Sequence, residues 1–386
     1  MIYFDNSATT KINPEVLATY NKVATDIWGN PSSLHALGDR AHQLLESARE
    51  QVAKLLGVKA SEIFFTSGGT ESNNTAIKGA AYSKQTFGKH IITTQIEHAS
   101  VGQAFSELED DGFEVTRLPV DKDGFVSPES LKKAIRKDTI LVSIMAVNNE
   151  IGSIQPIHEF SKILADHPNI LFHVDTVQAI GKGIWDQVMD PRVDMFSLSS
   201  HKFHGPRGVG ILYKKVSKQI WPLHNGGGQE TGLRSGTENL PAIAAMAKAL
   251  RLTLENELAD SQRERAVKEH ILEGVRDLPG ITIFSPANDH FAPHILCLAL
   301  KGIRGETLVH TLEQDEIYVS TTSACHSKTF KEAGTLMAMN IPEAIATGAI
   351  RLSFDAENTL AEADQFLVAF KKLYDHFAKI NHLGDK

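Results

Sequence analysis

Short apolar runs rich in β-forming residues alternate with amphipathic helical segments along most of this chain. Seven of these runs are predicted to be strands, at 62–69, 90–94, 113–120, 139–147, 170–175, 194–200 and 208–214. Residues 33–58 repeat apolar side chains at helical spacing, and Ser127 and Pro128 fit the cap and first position of another helix. This alternation predicts an α/β fold in which a mostly parallel seven-stranded sheet lies between helices.

The regular alternation of strand and helix patterns ends at about residue 240, where we predict one long helix over 238–278. A chain of 386 residues exceeds the size at which a single hydrophobic core usually stops growing. We therefore predict a large domain over 15–255. A smaller α/β domain would be formed by 1–14 and 256–386.

Charge and cysteine content argue against several classes of function. The chain has 39 basic and 47 acidic residues, and a net charge of −8 makes a broad nucleic-acid contact unfavourable. Two cysteines are too few for a disulfide framework or a four-cysteine metal site, and we expect no metal. The sequence shows neither a signal-peptide pattern nor an apolar run of the ~18 residues that span a bilayer. We therefore expect a cytoplasmic protein without membrane or nucleic-acid partners.

Polar residues follow two of the predicted strands at positions suited to cofactor chemistry. Lys202 has hydroxyls before it and glycines after it, which suits an amine that condenses with a carbonyl group; a solvated strand-end lysine is the alternative. Asp175 ends an apolar strand, with Gln178 three residues later. A carboxylate there could hold the protonated nitrogen of a pyridine ring, or it could cap the next helix.

Further segments offer groups that bind anions and aromatic rings. The glycine-rich turn at 67–70 could cradle a phosphate at a helix start, or serve as an ordinary turn and cap. His98 could stack on a flat cofactor, or be an ordinary partly buried histidine. Arg351, in an apolar strand, could clamp a substrate carboxylate or form a structural ion pair. Residues 225–239 are glycine-rich and predict a flexible connection that ends near an anion.

The two cysteines have different surroundings. Cys297 lies in an apolar strand and is predicted to be an inert core residue. Cys325 lies among small polar residues in the segment 320–328, as an exposed nucleophile should. His326 follows it and could lower the pKa of Cys325 when protonated, or be a solvated surface residue.

Taken in order along the chain, these motifs resemble the NifS/IscS cysteine desulfurases. These are fold-type-I enzymes of aminotransferase class V that use pyridoxal 5'-phosphate (PLP). The resemblance runs essentially end to end and is carried by YFDNSATT, GNPSSLH, FTSGGTESNN, EHAS, VNNEIG, HVDTVQ, SSHKFHGPRG, GGGQETGLRSGT, SAC and IRLSF. The cysteine segment departs from the pattern common in iron–sulfur-assembly members, because Thr322 replaces a glycine and His326 replaces a threonine.

The resemblance implies a role for each matching position. Lys202 would bind PLP covalently and then take the α-proton of L-cysteine, with His98 as a candidate for proton transfer. Cys325, in a catalytic loop at about 322–335 of the small domain, would accept the sulfur as a persulfide while alanine leaves. Arg351 and Asn149 would bind the substrate. The implied cofactor contacts are Gly69, Thr70, His98, Asn149, Asp175, Gln178, Ser199, His201, Lys202 and Thr237.

The same resemblance implies partners. Thr237 would reach the cofactor from the second subunit of a homodimer, and the sulfur would pass to an acceptor protein for iron–sulfur cluster assembly or for thiolation of tRNA or cofactors. Three other functions stay open at this point. A related PLP enzyme, such as an aminotransferase or a selenocysteine lyase, would need no thiol at 325. A metal-dependent hydrolase would use His173, Asp175, His201 and His204, and a sulfur-transfer scaffold would bind PLP only structurally.

Overall fold

The computed structural model describes residues 1–322 and 334–381. The strands are β1 (Ile2–Tyr3), β2 (Ile63–Thr66), β3 (His90–Thr94), β4 (Glu114–Leu118), β5 (Thr139–Met145), β6 (Leu171–Asp175), β7 (Met195–Ser199), β8 (Gly210–Lys214), β9 (Ile281–Ile283), β10 (Ile295–Leu300), β11 (Ile317–Tyr318), β12 (Ser320–Thr321) and β13 (Ala349–Ser353). The α-helices are α1 (Pro14–Asp26), α2 (Ala36–Leu56), α3 (Gly69–Lys84), α4 (Ala99–Asp110), α5 (Pro128–Ala134), α6 (Ile157–Ala165), α7 (Trp185–Val188), α8 (Leu240–Glu255), α9 (Glu257–Val275), α10 (Gly305–Glu313), α11 (Thr335–Ala338), α12 (Glu343–Ala346) and α13 (Leu360–Asn381).

The seven strands predicted from the sequence form one sheet, in the order β2-β8-β7-β6-β5-β3-β4. β8 runs antiparallel to both of its neighbours, whereas the remaining pairs are parallel. β5, β6 and β7 are buried along their whole length, which explains why they read as continuous apolar runs rather than alternating ones. The predicted α/β class with a mostly parallel sheet is confirmed.

The prediction of one helix over 238–278 is wrong. The structure has two helices there, α8 and α9, separated by Asn256, whose φ of −124° and ψ of 10° are not helical. The apolar pattern continues on both sides of Asn256, so periodicity alone could not locate the break; asparagine itself is a weak helix former. The predicted domain boundary between 255 and 256 coincides with this break, and the division into two domains stays a prediction.

A second hydrophobic cluster joins the N-terminal arm to the C-terminal part of the chain. β1 pairs in parallel with β11, and Phe4 packs edge-on against Phe354 with ring centroids 5.0 Å apart. Next to this cluster, β12, β13, β10 and β9 form an antiparallel four-stranded sheet. The arm therefore begins in the C-terminal part of the molecule and runs from there to the carboxyl end of the large sheet, where Thr10 N–H donates to His201 O.

No helix within residues 1–322 and 334–381 combines the length and the apolar character required to cross a membrane.

A buried ion pair fixes the glycine-rich segment 225–239 to the large sheet. Arg49 of α2 donates two parallel hydrogen bonds of 2.8 Å to the Glu230 carboxylate. The same carboxylate accepts the Phe65 N–H at 2.8 Å, and Arg49 also donates to Ile63 O. Glu230 is only 5% exposed, and Arg49 is the guanidinium hydrogen-bonded to its carboxylate.

We expect Arg49→Met to lower the free energy of unfolding by about 3 kcal/mol, because the Glu230 carboxylate would stay buried without its hydrogen-bonded guanidinium. Urea denaturation followed by circular dichroism measures the change. Arg263→Met is the matched control, since Arg263 pairs with Asp260 on the surface with 63% of its side chain exposed. A loss for Arg49→Met no larger than that of the control would show that the buried pair does not stabilise the fold.

Candidate active site

A cavity of about 690 Å³ lies at the carboxyl ends of the central strands, where open α/β sheets place their ligands. The N-terminal arm, the start of α3 and strand β13 complete its wall. The wall contains ten of the residues predicted from the sequence: Gly69, Thr70, His98, Asn149, Asp175, Gln178, Ser199, His201, Lys202 and Arg351. Residues that are 282 positions apart in the chain thus meet at one site.

Lys202 lies one turn beyond β7, in the short 3₁₀ helix Ser200–Lys202. Its Nζ donates to the carbonyl oxygens of Ser7 and Ala8, the latter at 2.9 Å. Burial and the nearby Arg351 guanidinium lower the pKa of Lys202 to about 8, despite the opposing charges of Asp5 and Asp175. A substantial neutral fraction of this amine is therefore present just above pH 7, which makes it a nucleophile and a base.

The N-terminal arm supplies the acceptors that hold this lysine, and sequence reasoning missed them. Ser7 O accepts both the Lys202 ammonium and the Gln178 side-chain N–H, the latter at 3.0 Å. The Ser7 backbone N–H in turn donates to Ser353 Oγ at 2.8 Å. These contacts use backbone carbonyls, which any residue provides, so the sequence carries no side-chain signal for them.

Asp175 ends β6 with its carboxylate buried and each oxygen hydrogen-bonded. Oδ1 accepts the Val177 N–H at 3.0 Å, and Oδ2 accepts the Asn73 side-chain N–H at 2.7 Å. Asn73 donates its second N–H to Ser100 Oγ at 2.9 Å, and Ser100 Oγ lies 2.8 Å from His98 Nδ1. A chain of hydrogen bonds thus connects Asp175 to His98. Sequence reasoning missed Asn73, whose one available signal was its spacing of four from Gly69 on the same helix face.

His98 caps the N-terminus of α4. Its Nδ1 accepts the Ser100 backbone N–H at 3.1 Å, so this nitrogen carries no proton and the neutral ring holds its proton on Nε2. Burial lowers the pKa of His98, with Lys202 acting in the same direction and Asp175 in the opposite one. The ring is therefore a neutral imidazole whose Nε2–H is a hydrogen-bond donor.

The N-terminal end of α3 forms the opposite wall of the cavity. No side chain caps this helix, and its first N–H groups have no acceptor within the helix. A Cβ on Gly69 would lie 3.0 Å from Val177 Cγ2, and one on Gly210 would lie 2.6 Å from the Gly68 Cα. The glycines thus allow a close approach of two backbones that brings free N–H donors to the cavity, which is the arrangement that binds phosphate.

His201 and Ser199 border the same end of the cavity. His201 Nδ1 lies 3.1 Å from Thr9 Oγ1. Burial lowers the pKa of His201 to about 4, with the charges of Lys202 and Arg207 adding to the effect. Near pH 7 this ring is neutral, so it can interact with an anion only as a hydrogen-bond donor.

Arg351 forms a structural ion pair and also lines the cavity. Its side chain donates to Asp5 Oδ1 at 2.8 Å and to the backbone oxygen of Asn149 at 2.9 Å, and it also lines the cavity. The residue is only 7% exposed. A structural ion pair therefore orients a guanidinium that faces the space available to a ligand.

Among the predicted site residues that the structure describes, Thr237 is the one that does not line the cavity. Thr237 is exposed at the end of the segment 225–239, so its proposed contact with a second subunit stays a prediction. Cys325 and His326 lie outside the described residues. On either side of them, Ser320 pairs with Arg351 across β12 and β13, and Thr335 accepts the Asn148 side-chain N–H at 3.2 Å. The chain is thus held beside the cavity both before and after Cys325.

Residues considered for other chemistry have other partners. His173 is wholly buried in the sheet, where its ring nitrogens contact Ser143 Oγ at 2.8 Å and Ser197 Oγ at 3.0 Å. Neither nitrogen is free for a metal, and within 1–322 and 334–381 no three His, Cys, Asp or Glu side chains form a possible metal site. Cys297 lies in the core, and burial raises the pKa of its thiol.

We expect His98 to be neutral at pH 7 with its proton on Nε2, because burial lowers its pKa and its Nδ1 accepts the Ser100 N–H. Long-range ¹H–¹⁵N spectra distinguish the two neutral tautomers and the charged form. His98→Gln identifies the signal of this ring. A proton on Nδ1, or a charged His98 ring at pH 7, would contradict the interpretation.

Comparisons with known proteins agree with this geometry. Residues 2–366 match the family described as Aminotransferase class-V. A NifS/IcsS protein homolog of Lactobacillus delbrueckii subsp. bulgaricus is 69% identical over 385 residues, covering 100% of both chains. The cysteine desulfurase IscS of Clostridium botulinum is 42% identical, over 96% of this chain and 94% of that protein. A solved NifS-like protein is 41% identical with a TM-score of 0.89, over 98% of this chain and 99% of the other. The chain belongs to the aminotransferase class-V family, in its NifS/IscS group.

Proposed function

We propose that this protein is a PLP-dependent cysteine desulfurase, which converts L-cysteine to L-alanine and carries the sulfur as a persulfide on Cys325. The observation that carries the proposal is the composition of the cavity wall. An amine with a lowered pKa, a buried carboxylate, a neutral imidazole, an uncapped helix N-terminus and an oriented guanidinium all face one space of about 690 Å³. Each part of PLP and of an amino-acid substrate has a chemical counterpart among these groups.

The residues present fit PLP. Gly69, Thr70, Ser199 and His201 would hold its phosphate, since the first N–H groups of α3 have no acceptor within the helix. Asp175 would pair with the ring nitrogen, and His98 would stack on the ring. Gln178 and Asn149 would lie near the phenolic oxygen, and Lys202 would bind the cofactor covalently. When bound, PLP would supply an electron sink for the charge that develops at the substrate α-carbon.

The side chains of this protein would then orient the substrate and move its protons. Arg351, with Asn149, would bind the substrate carboxylate through its oriented guanidinium. Lys202 would take the α-proton, since burial and Arg351 lower its pKa to about 8 and leave part of it neutral. His98 would donate a hydrogen bond from Nε2–H, because Ser100 N–H occupies its Nδ1.

Cys325 would receive the sulfur. Its thiolate would form a sulfur–sulfur bond with the substrate while the carbon–sulfur bond breaks, and the carbon skeleton would take up protons and leave as alanine. Cys325 is three residues beyond Thr322, so their Cα atoms are at most about 11 Å apart. The chain leaves the described part next to β12, where Ser320 pairs with the cavity residue Arg351. The segment that carries the thiol therefore begins beside the cavity wall.

We further propose a homodimer in a reducing, cytoplasmic compartment. Thr237 is exposed and would reach the phosphate site of the partner subunit. Large apolar side chains exposed in the single chain, among them Trp28, Leu34 and Trp221, offer surface for such an association. A reducing compartment keeps the Cys325 thiol available, and the persulfide would pass to an acceptor protein for iron–sulfur cluster assembly or for thiolation of tRNA or cofactors.

The covalent link to PLP can be tested directly. Borohydride reduction of the PLP-loaded wild type should fix the cofactor to the peptide that contains Lys202, as measured by mass spectrometry. Lys202→Ala should lose this adduct and the associated visible absorbance, because no other lysine of the described residues lines the cavity. Lys122→Ala is the control, with 86% of its side chain exposed. An adduct of normal yield in Lys202→Ala would contradict the assignment.

The sulfur-accepting thiol needs its own test. Cys325→Ser should bind PLP with the wild-type spectrum but form neither persulfide nor more than a trace of alanine from L-cysteine, because the attacking thiolate is missing. Cys297→Ala removes the other thiol, in the core, and should keep both products. Persulfide formation in Cys325→Ser at the wild-type level would contradict the proposed function. Alanine production without persulfide would favour a related PLP lyase instead.

A further inference from the structure

An acidic side chain lies at the helix terminus where the cofactor phosphate is proposed to bind. Glu71 is the third residue of α3 and lines the cavity together with Gly69 and Thr70. One of its oxygens, Oε2, accepts the Ser67 N–H at 2.9 Å. Burial favours the neutral form of this carboxyl, but hydrogen bonds from Arg234 and Ser67 outweigh it and lower the pKa of Glu71. A carboxylate beside a phosphate dianion repels it unless a cation compensates.

The compensating cation comes from a distant part of the chain. Arg234 Nε donates to Glu71 Oε1 at 2.8 Å, and its NH2 group lies 3.4 Å from Oε2. The guanidinium is partly buried, with 26% of the side chain exposed, and the Glu71 side chain is 10% exposed. A charge pair this close and this shielded is screened far less than a surface pair.

The backbone around Arg234 is held in place independently of Glu71. His224 and Arg234 form a parallel bridge, and the Ser235 N–H donates to His224 O at 3.2 Å. Glu230, four residues before Arg234, is held by its buried pair with Arg49. The fixed backbone of segment 225–239 therefore places the Arg234 guanidinium next to Glu71.

We propose that Arg234 is a positioning residue for the cofactor: it neutralises and orients Glu71, so that the N-terminal end of α3 can accept a phosphate. This inference rests on the proposed function. It assigns Arg234 an electrostatic effect through Glu71 rather than a contact with the phosphate. The two possibilities predict different PLP affinities for the double variant, because an effect through Glu71 disappears once the Glu71 charge is removed.

The proposed electrostatic effect predicts an order of PLP affinities among four variants. Arg234→Gln leaves an uncompensated carboxylate at the phosphate site and should raise the PLP dissociation constant about tenfold or more. Glu71→Gln removes the repulsion and should bind PLP as tightly as wild type or more tightly. The double variant has neither charge and should return to within about threefold of wild type. Arg234→Lys keeps the charge and should stay close to wild type.

The experiment is a titration of each apo-protein with PLP, followed by absorbance, with the thermal midpoint of each apo-protein measured in parallel. Lys78→Gln is the matched control, because it removes the partner of Glu107 from the same helix α3 but away from the cavity; its PLP affinity should equal that of wild type. Added salt should recover part of the affinity lost in Arg234→Gln and leave the double variant nearly unchanged.

Two outcomes would overturn the inference. A double variant as weak as Arg234→Gln would mean that Arg234 acts on the phosphate or on folding rather than through Glu71, and the thermal midpoints would separate these causes. Unchanged PLP affinity in Arg234→Gln would show that Glu71 needs no compensation. If wild type itself did not bind PLP, the proposed function would fail together with the inference, so the two failures are distinguishable.

Discussion

The Lys202 amine lies where three separate parts of the chain meet, and the site depends on its burial there. Ser7 and Ala8 of the N-terminal arm supply the carbonyl acceptors, and β13 supplies the Arg351 guanidinium that helps to lower the pKa of Lys202 to about 8. The arm can reach this place because Phe4 is anchored against Phe354. Packing in the C-terminal cluster therefore sets the chemistry at the end of the large sheet.

Around this lysine, the polar groups form a connected set rather than a collection of single contacts. Asn73 joins Asp175 to Ser100, and Ser100 fixes the tautomer of His98. Each group is oriented by a second one that is itself buried, so the positions of the reactive atoms are established before a ligand arrives. Such preorganisation avoids the cost of reorienting dipoles during the reaction.

Much of the main sheet and several residues of the site could be predicted from the sequence. The seven strands of the main sheet were found because each is a short apolar run next to a helical pattern, and Lys202 and Asp175 stood out because they end such runs. The contacts of Asn73 and the Ser7 carbonyl were missed. Apart from its spacing from Gly69, Asn73 has no pattern of its own, and a backbone oxygen has none. The break at Asn256 has no glycine or proline to mark it.

By itself, the sequence determined the α/β class, the family to which the chain belongs and the candidate residues, because strand periodicity and ordered motifs are local properties of the chain. The tertiary structure decided what those residues can do. Only folding brings Glu71 to Arg234, or Lys202 to Arg351. The pKa values of Glu71 and Lys202 depend on burial and on these arginines, which are more than a hundred residues away in the chain. Electrostatic coupling acts through space, whereas the sequence records only order along the chain.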